Sequence, residues 1–314
     1  MSETVLETQG LSKRYGDLVA VSDLTLEVPS GEVFGFLGPN GAGKTTSISM
    51  MCGLLAPSAG RVLVRGQEIS GGSADVRAHV GVCPQEIVLW DRLTCLEQLE
   101  FMGRMYGVDG AEARKRVRRL LYEQGLVEKA NKQARTLSGG MKRRLNIAMA
   151  LVHDPAIVVL DEPEAGLDPQ SRVRVREYIQ TLGRNKTVIL TTHNMDEADR
   201  LADRVAIVDH GKLLVVDTPQ ALKASVGQGD VVEIGVRGNL EDTAVVKDLE
   251  ALVEHVQLDA ERGVLTVRAL DAVRKLPAVL DAVESAGLEA GDVRIRQNTL
   301  EDVFIQLTGR SLRQ

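Results

Sequence analysis

The fold of this chain is decided by the stretch Gly38–Thr45, which reads GPNGAGKT. It fits the pattern Gly-x-x-x-x-Gly-Lys-Ser/Thr and lies between a strand-like segment, 32–37, and a helical pattern that begins at Thr45. Glycines let the backbone wrap closely around phosphates, so that its N–H groups and the positive end of the next helix point at the anion. The stretch predicts a nucleoside triphosphate ligand, with Lys44 at the β- and γ-phosphates and Thr45 on Mg²⁺.

A second motif is the apolar run 156–160, which ends in Asp161 and Glu162 and is typical of a buried parallel strand. Two acids at a strand end are often only part of a turn. Together with the phosphate loop they indicate the Walker B arrangement, in which a carboxylate beside the loop holds Mg²⁺ through water. We therefore assign the metal to Asp161 and the attacking water to Glu162.

A third motif, Leu137-Ser138-Gly139-Gly140-Met141, comes directly before a helical pattern. Its serine and glycines would form a second helix start with bare backbone donors, although a Gly-Gly loop before an ordinary amphipathic helix has the same local pattern. One phosphate loop with two anion-binding helix starts suggests a site shared between two chains.

With these three motifs, the sequence resembles the ATP-binding subunits of ABC transporters, whose signature is Leu-Ser-Gly-Gly-x shortly before Walker B. The resemblance covers about two thirds of the chain and implies a head-to-tail homodimer that binds ATP and Mg²⁺. In that arrangement Ser138 and Gly140 would contact the γ-phosphate of ATP held by Lys44 of the opposite subunit.

The resemblance also supplies the remaining site positions. Tyr15 matches the aromatic residue that stacks on adenine, Gln85 the Q-loop glutamine that touches Mg²⁺, Asp168 the D-loop, and His193 the switch histidine that helps to position Glu162. It implies catalytic roles for Glu162 and His193 and metal contacts for Thr45, Gln85 and Asp161. The ATP-contacting positions it implies are Tyr15, Gly38, Asn40, Gly41, Gly43, Lys44, Thr45, Thr46, Gln85, Ser138, Gly139, Gly140 and Asp168.

Two positions depart from the family pattern. Glu164 stands after Pro163, where Thr or Ser is usual, and Asn194 follows His193, where Tyr or Glu is frequent. Neither removes a catalytic group. We expect the Glu164 carboxylate to repel the polyphosphate and to slow dimer closure unless Mg²⁺ or a partner residue offsets its charge.

Composition bounds the class of protein. The length of 314 residues indicates two domains, and 44% hydrophobic residues are enough for a sizeable core. The net charge of −6 and the pI near 5.5 argue against a nucleic-acid binder. We expect no membrane-spanning segment and no secretion leader. The odd count of three cysteines fits a reducing compartment. The basic run 114–119 favours a solvated helix face, with an anionic lipid contact as the alternative.

The order of patterns predicts an α/β ATPase domain over 1–225, with a helical subdomain at about 91–150 that would dock the transmembrane partner, and an accessory domain over 226–314. Gly and Ser mark a loop between Gly66 and Ala74. The tail alternates strand, helix, strand, strand, helix, strand and helix, an order compatible with a small ferredoxin-like split βαβ sheet. It carries no catalytic constellation, so we expect it to regulate or stabilise the dimer; a passive appendage is the alternative.

The end of the tail, 298–310, resembles the C-terminal segment of drug-exporter ATPases of the daunorubicin-resistance type. The resemblance implies the ATPase subunit of an ABC exporter for a drug, lipid or other amphipathic compound. It would lie on the cytoplasmic side of the membrane, held by an integral membrane permease, with no nucleic acid bound. The alternative is a soluble ABC ATPase that acts on ribosomes or nucleic acid.

Overall fold

The structure, a computed structural model, describes residues 3–69, 78–227, 229–238, 244–260 and 262–309, without the side chains of residues 244, 245 and 247. The chain divides into two compact units, Met1–Pro219 and Gln220–Gln314. The division falls at the start of a helix, α7 (Pro219–Ser225), whereas the boundary that we predicted near residue 225 lies at the end of that helix.

The first unit contains two sheets. Its strands are β1 (Thr4–Tyr15), β2 (Leu18–Pro29), β3 (Val33–Leu37), β4 (Ala59–Val64), β5 (Gln67–Glu68), β6 (Val80–Cys83), β7 (Ile157–Asp161), β8 (Thr187–Thr192), β9 (Arg204–Asp209) and β10 (Lys212–Asp217). One sheet is antiparallel with the order β2-β1-β4-β5, and the other has the order β10-β9-β3-β8-β7-β6. In the second sheet every pairing is parallel except the edge pair β9 and β10.

The central parallel strands are buried on both faces, which explains their continuous apolar sequences. In β7, Val158 and Leu160 pack with the helices on one side, whereas Ile157 and Val159 pack with the antiparallel sheet on the other. Because parallel strands end at the same sheet edge, the carboxyl ends of β3, β7 and β8 bring the predicted motifs to one place.

The helices of the first unit are α1 (Lys44–Met51), α2 (Cys95–Met105), α3 (Gly110–Glu123), α4 (Gly139–Leu151), α5 (Pro169–Gly183) and α6 (Met195–Leu201). Helices α2 and α3 lie in the predicted helical subdomain. The basic run lies on α3, where Arg116 and Arg119 form ion pairs one turn away with Glu112 and Glu123. This pattern is that of a solvated helix face.

The second unit contains β11 (Asp230–Arg237), β12 (His255–Asp259), β13 (Val264–Ala269), β14 (Glu289–Arg296), α8 (Ala244–Glu250), α9 (Ala272–Ser285) and α10 (Leu300–Thr308). Its four strands are antiparallel in the order β12-β13-β11-β14. In chain order this is the 2-3-1-4 arrangement of a βαββαβ unit, so the predicted split βαβ sheet is confirmed.

Some expectations fall on residues outside the described part of the chain. Of the predicted 66–74 loop, positions from Ser70 onward lie outside it, and the earlier part contains the short strand β5. None of the helices in the described parts of the chain combines the length and the apolar character that a membrane span requires. The three cysteines are unpaired and buried, and burial raises the pKa of the Cys52 thiol to about 12.

Candidate active site

The phosphate loop connects β3 to α1 and folds around the ammonium group of Lys44. Lys44 Nζ donates hydrogen bonds to the carbonyl oxygens of Gly38, at 2.8 Å, and Pro39, at 3.0 Å. Gly43 has φ +93°, and a Cβ there would lie 2.4 Å from the carbonyl oxygen of Ala20. The loop therefore needs glycine at this position for its backbone conformation and for its close approach to β2.

Asp161 ends β7 next to the first residues of α1. The hydroxyl of Thr45 donates to Asp161 Oδ2 at 3.3 Å, and the hydroxyl of Thr191, on β8, donates to Asp161 Oδ1. The Thr191 hydroxyl also accepts a hydrogen bond of 3.0 Å from the backbone N–H of Glu162. Thr191 thus fixes both acids, a role that its place inside an apolar strand pattern did not indicate.

Glu162 is buried and has φ +48°, in the left-handed region that costs a non-glycine residue about 1–3 kcal/mol. Its Oε1 lies 3.8 Å from Lys44 Nζ, and its carboxylate is 2.8 Å from Nδ1 of His193. Its position therefore brings Glu162, Lys44 and His193 together, the residues predicted to act as base, phosphate contact and switch.

The charged groups at this site are buried, and this burial changes the pKa of Lys44. Burial lowers the pKa of Lys44, although the nearby Glu162 and Asp161 carboxylates favour its charged form. A buried ammonium group is stabilised by further negative charge, so it is suited to receive a polyphosphate.

The oxygen atoms present fit Mg²⁺. The Thr45 hydroxyl and the Asp161 carboxylate are hard ligands, and Mg²⁺ bound with substrate phosphates takes one or two protein oxygens and keeps several waters. No group of three or more His, Cys, Asp or Glu side chains among the described residues could hold a metal ion alone. The ion would therefore be held together with the triphosphate.

A cleft of about 590 Å³ opens over the loop. The predicted residues that line it are Tyr15, Asn40, Gly41, Gly43, Lys44, Thr45, Thr46, Gln85 and Glu162. Gly38, Asp161 and His193 adjoin it through their bonds to Lys44, Thr45 and Glu162. Its further lining residues, which the sequence did not indicate, are Leu18, Val19, Ala20, His210 and Gly211.

The signature residues lie outside this cleft. Ser138 caps α4, its hydroxyl accepting a hydrogen bond from Met141 N at 3.4 Å. A Cβ on Gly140 would lie 2.0 Å from the hydroxyl oxygen of Ser171, which itself donates to Asp168 at the cap of α5. The signature and the D-loop therefore pack together, away from the phosphate loop of the same chain.

Arg143 is a structural residue of the site that the motif analysis missed. It is 2% exposed, and its guanidinium donates at 2.6 Å to each of the backbone carbonyls of Asp161 and Glu162. Further bonds reach the carbonyls of Pro84 and Gln85, at 2.7 and 3.0 Å. Arg143 therefore connects the signature helix to Walker B and the Q-loop. The sequence contained a signal for its burial, because it shares a helix face with apolar residues four and seven positions later.

The two departures from the family pattern have local explanations. Glu164 forms a two-pronged ion pair with Arg176, at 3.0 and 2.8 Å, and does not line the cleft. Arg176 therefore offsets the Glu164 charge, which is the exception that the sequence-based expectation allowed. Asn194 caps α6, because its side chain accepts a hydrogen bond from Glu197 N.

Comparison with known proteins agrees with this geometry. The ABC transporter family profile matches residues 21–165. The chain is 39% identical over 312 residues to a daunorubicin resistance ATP-binding protein of Streptomyces coeruleorubidus, with 98% of this chain and 97% of that protein covered. It is 36% identical to a linearmycin resistance ATP-binding protein of Bacillus subtilis, covering 98% and 100%. It is 39% identical to a Nod factor export ATP-binding protein of Paraburkholderia xenovorans, covering 99% of each.

Solved structures give the same result. A component of an ABC transporter complex from Clostridium perfringens superposes with a TM-score of 0.66 at 26% identity, covering 80% of this chain and 96% of that one. A dimeric ATP-binding cassette bound to ADP and phosphate superposes with a TM-score of 0.62 at 25% identity, covering 68% and 98%. The chain therefore belongs to the ABC transporter ATP-binding proteins, the subunits that bind and hydrolyse ATP.

Proposed function

We propose that two copies of this chain close head-to-tail around two ATP molecules and drive a separate membrane-spanning permease that exports an amphipathic compound. The similar proteins are described as resistance or export ATP-binding proteins. Their names support export more than action on ribosomes or nucleic acid, and the net charge of −6 agrees.

Within each site the residues have distinct roles. Lys44 and the loop N–H groups bind the β- and γ-phosphates, and the Thr45 hydroxyl and Asp161 would hold Mg²⁺, which would neutralise phosphate charge. Glu162 accepts the proton of the attacking water, and His193, bonded to Glu162, orients that carboxylate. Tyr15 is half exposed at the rim of the cleft, where it can stack on adenine.

The observation that carries the dimer is the separation of the two anion-binding helix starts. The start of α1 lines the ATP cleft, whereas Ser138 and Gly139 are exposed outside it. Exposed backbone donors at a helix start suit a phosphate brought by another copy. A two-fold arrangement would then give two identical composite sites from one polypeptide.

A mixing experiment tests this arrangement. Lys44→Ala removes the phosphate contact, and Ser138→Arg blocks the signature, so each homodimer should be inactive. A mixed dimer should regain one intact site, and an equimolar mixture should recover about a quarter of wild-type ATPase activity if subunits pair at random. A mixture as inactive as either variant alone would contradict the head-to-tail arrangement.

An exposed apolar surface next to Gln85 supports a protein partner. Ile87, Val88 and Trp90 are 40%, 56% and 42% exposed, and Phe101 on α2 is 43% exposed. The Trp90 and Phe101 rings contact edge to face with centroids 5.1 Å apart. Clustered apolar side chains of this kind mark protein interaction sites, and this cluster would couple the permease to the Q-loop.

Detergent extraction of tagged protein from its native membranes tests the coupling. Trp90→Glu should reduce copurification of an integral membrane protein at least about tenfold, because a buried interface aromatic is replaced by a charge. Val127→Glu, at another exposed apolar position, is the matched control. Equal recovery of the membrane protein with both variants would remove this surface from the proposal.

For the second unit we propose a role in regulating or stabilising the dimer. The described part of this unit has its own apolar core and no group of His, Cys, Asp or Glu side chains fit for a metal. Ending the chain after Ser225 should preserve ATP binding and alter the dimer lifetime or the coupled activity. Unchanged dimerisation, ATPase rate and export would instead favour a passive appendage.

A further inference from the structure

A second and larger cleft of the first unit, about 830 Å³, is separate from the ATP cleft. It lies between the end of α3, the outer side of α4 and the length of α5. We propose that it binds a small amphipathic carboxylate, a molecule with one carboxylate group on an aromatic or apolar body. This proposal concerns a different site from the proposed function and does not depend on it.

Arg144 forms the floor of the cleft and has unused donor capacity. It is 6% exposed, and its Nη1 atom donates to the backbone carbonyl of Gln124. Its Nε atom is buried without a hydrogen-bond partner, and no carboxylate of the described residues is bonded to its guanidinium. A buried guanidinium without an acid is costly, and an anion in the cleft would remove that cost.

A second guanidinium, that of Arg174 on α5, faces the same space. Burial, together with the charge of Arg174, lowers the pKa of Arg144. Both side chains line the cleft, so an anion between them would relieve their repulsion. Guanidinium groups match planar carboxylates through paired N–H donors.

Gln124 supplies a neutral polar contact beside Arg144. It is 2% exposed, and both polar atoms of its amide lack a hydrogen bond of normal geometry among the described residues. The amide lies close enough to the Tyr178 hydroxyl to act on its pKa, which burial raises. A ligand carboxylate or hydroxyl could give this buried amide a hydrogen bond of normal geometry.

The charge balance of the cleft favours a single negative charge. Lys186 and Arg119 already have carboxylate partners, at 2.7 and 3.5 Å. The charged residues of the lining that remain are two arginines, Arg144 and Arg174, and one acid, Glu177, so their net charge is +1. A monoanion would neutralise this remainder, whereas a doubly charged phosphate would exceed it.

The walls of the cleft suit an apolar body. Leu120, Leu151 and Leu182 line it together with the rings of Tyr122 and Tyr178. Apolar and aromatic walls with a few convergent polar groups are the usual composition of small-molecule sites, and about 300–1,000 Å³ is their usual size. The cleft is therefore suited to a ring or chain that ends in a carboxylate.

Calorimetric titration with benzoate tests the proposal, with ADP and Mg²⁺ saturating the ATP cleft. Benzamide, the neutral analogue of similar shape, is the ligand control. Benzoate should bind wild-type protein with a millimolar Kd, and Arg174→Gln should weaken binding about tenfold, or about 1.4 kcal/mol. Arg174→Lys keeps the charge but not the paired donors, so its affinity should be intermediate.

Arg184→Gln is the matched protein control, because Arg184 is also exposed at the end of α5 but does not line the cleft. It should bind benzoate as wild type does. Arg174 is exposed, so equal melting temperatures for the two variants should show that the fold is intact. Equal binding of benzoate and benzamide, or equal losses in Arg174→Gln and Arg184→Gln, would overturn the proposal, as would the absence of benzoate binding to the wild type.

Discussion

The Walker region and the signature region of the first unit are built in opposite ways. Around Walker B the charged side chains Lys44, Asp161 and Glu162 are buried and bonded to one another or to the backbone. At the signature, Ser138 and Gly139 are exposed and offer mainly backbone donors. The difference teaches that the buried charges of the Walker region are fixed by the fold of one chain, whereas the exposed signature is open to the second copy that we propose.

The largest effect should come from Glu162, the centre of the Walker region. Glu162→Gln removes the base while leaving the Lys44 and Thr45 contacts, so ATP hydrolysis should fall at least about 100-fold with ATP binding retained. Steady-state hydrolysis and equilibrium nucleotide binding measure the two effects. Glu164→Gln, two residues away, should change turnover less than about threefold; a comparable loss would mean that the acids act as one cluster.

Arg143 should show that the two regions are mechanically joined, since it lies on the signature helix but bonds to Walker B. Arg143→Lys keeps the charge and loses the fork that reaches several carbonyls, so the free energy of unfolding should fall by about 3 kcal/mol. Urea unfolding measures this, and Arg135→Lys, at an exposed position, is the control. Equal, small losses in both variants would show that Arg143 does not join the regions.

A pH effect on stability should come from Glu197 on α6, whose carboxyl is affected by the charges of Glu162 and Glu164. Burial raises the pKa of the Glu197 carboxyl to about 7; the Thr192 hydroxyl bond opposes this, and the Glu164 and Glu162 charges add to it. The folded state therefore keeps a proton that the unfolded chain releases above its pKa of about 4.3. The contribution of Glu197 to stability is full below that pH and is lost as pH rises through about 7.

Glu197→Gln should remove this loss, because Gln stays neutral and its carbonyl can still accept from Thr192. The variant should match wild type near pH 4.5 and exceed its free energy of unfolding by about 3 kcal/mol at pH 8. Asp196→Asn, exposed on the same helix turn, should show no such dependence. A constant difference between Glu197→Gln and wild type across this range would contradict the assignment.

The smallest effect should come from Glu164→Thr, which restores a residue usual at that position in the family. It removes the partner of Arg176, which still reaches solvent, so the free energy of unfolding should fall by about 1 kcal/mol. Turnover should not rise, because Arg176 already offsets the charge of this carboxylate, which does not line the ATP cleft. A clear rise in turnover would instead support the repulsion between Glu164 and the polyphosphate that the sequence suggested.

The local motifs could be predicted because each is a short segment whose chemistry requires particular residues. Lys44, Asp161 and His193 follow strands or loops that their own sequences identify, and the ends of neighbouring parallel strands meet at one edge. The contacts of Arg143, Thr191 and Glu164 could not be predicted in this way. Their partners are distant in sequence, and although the helix face of Arg143 indicates burial, no local pattern shows which carbonyls it reaches.

The sequence by itself determined the ATPase class, the order of elements and the βαββαβ pattern of the second unit, because periodicity and glycine placement are local properties. Only the tertiary structure decided which charges are paired. It paired Glu164 with Arg176 and left the Arg144 guanidinium without a bonded carboxylate among the described residues. Charge pairing depends on distance and burial between elements far apart in the chain, and these exist only after the chain has folded.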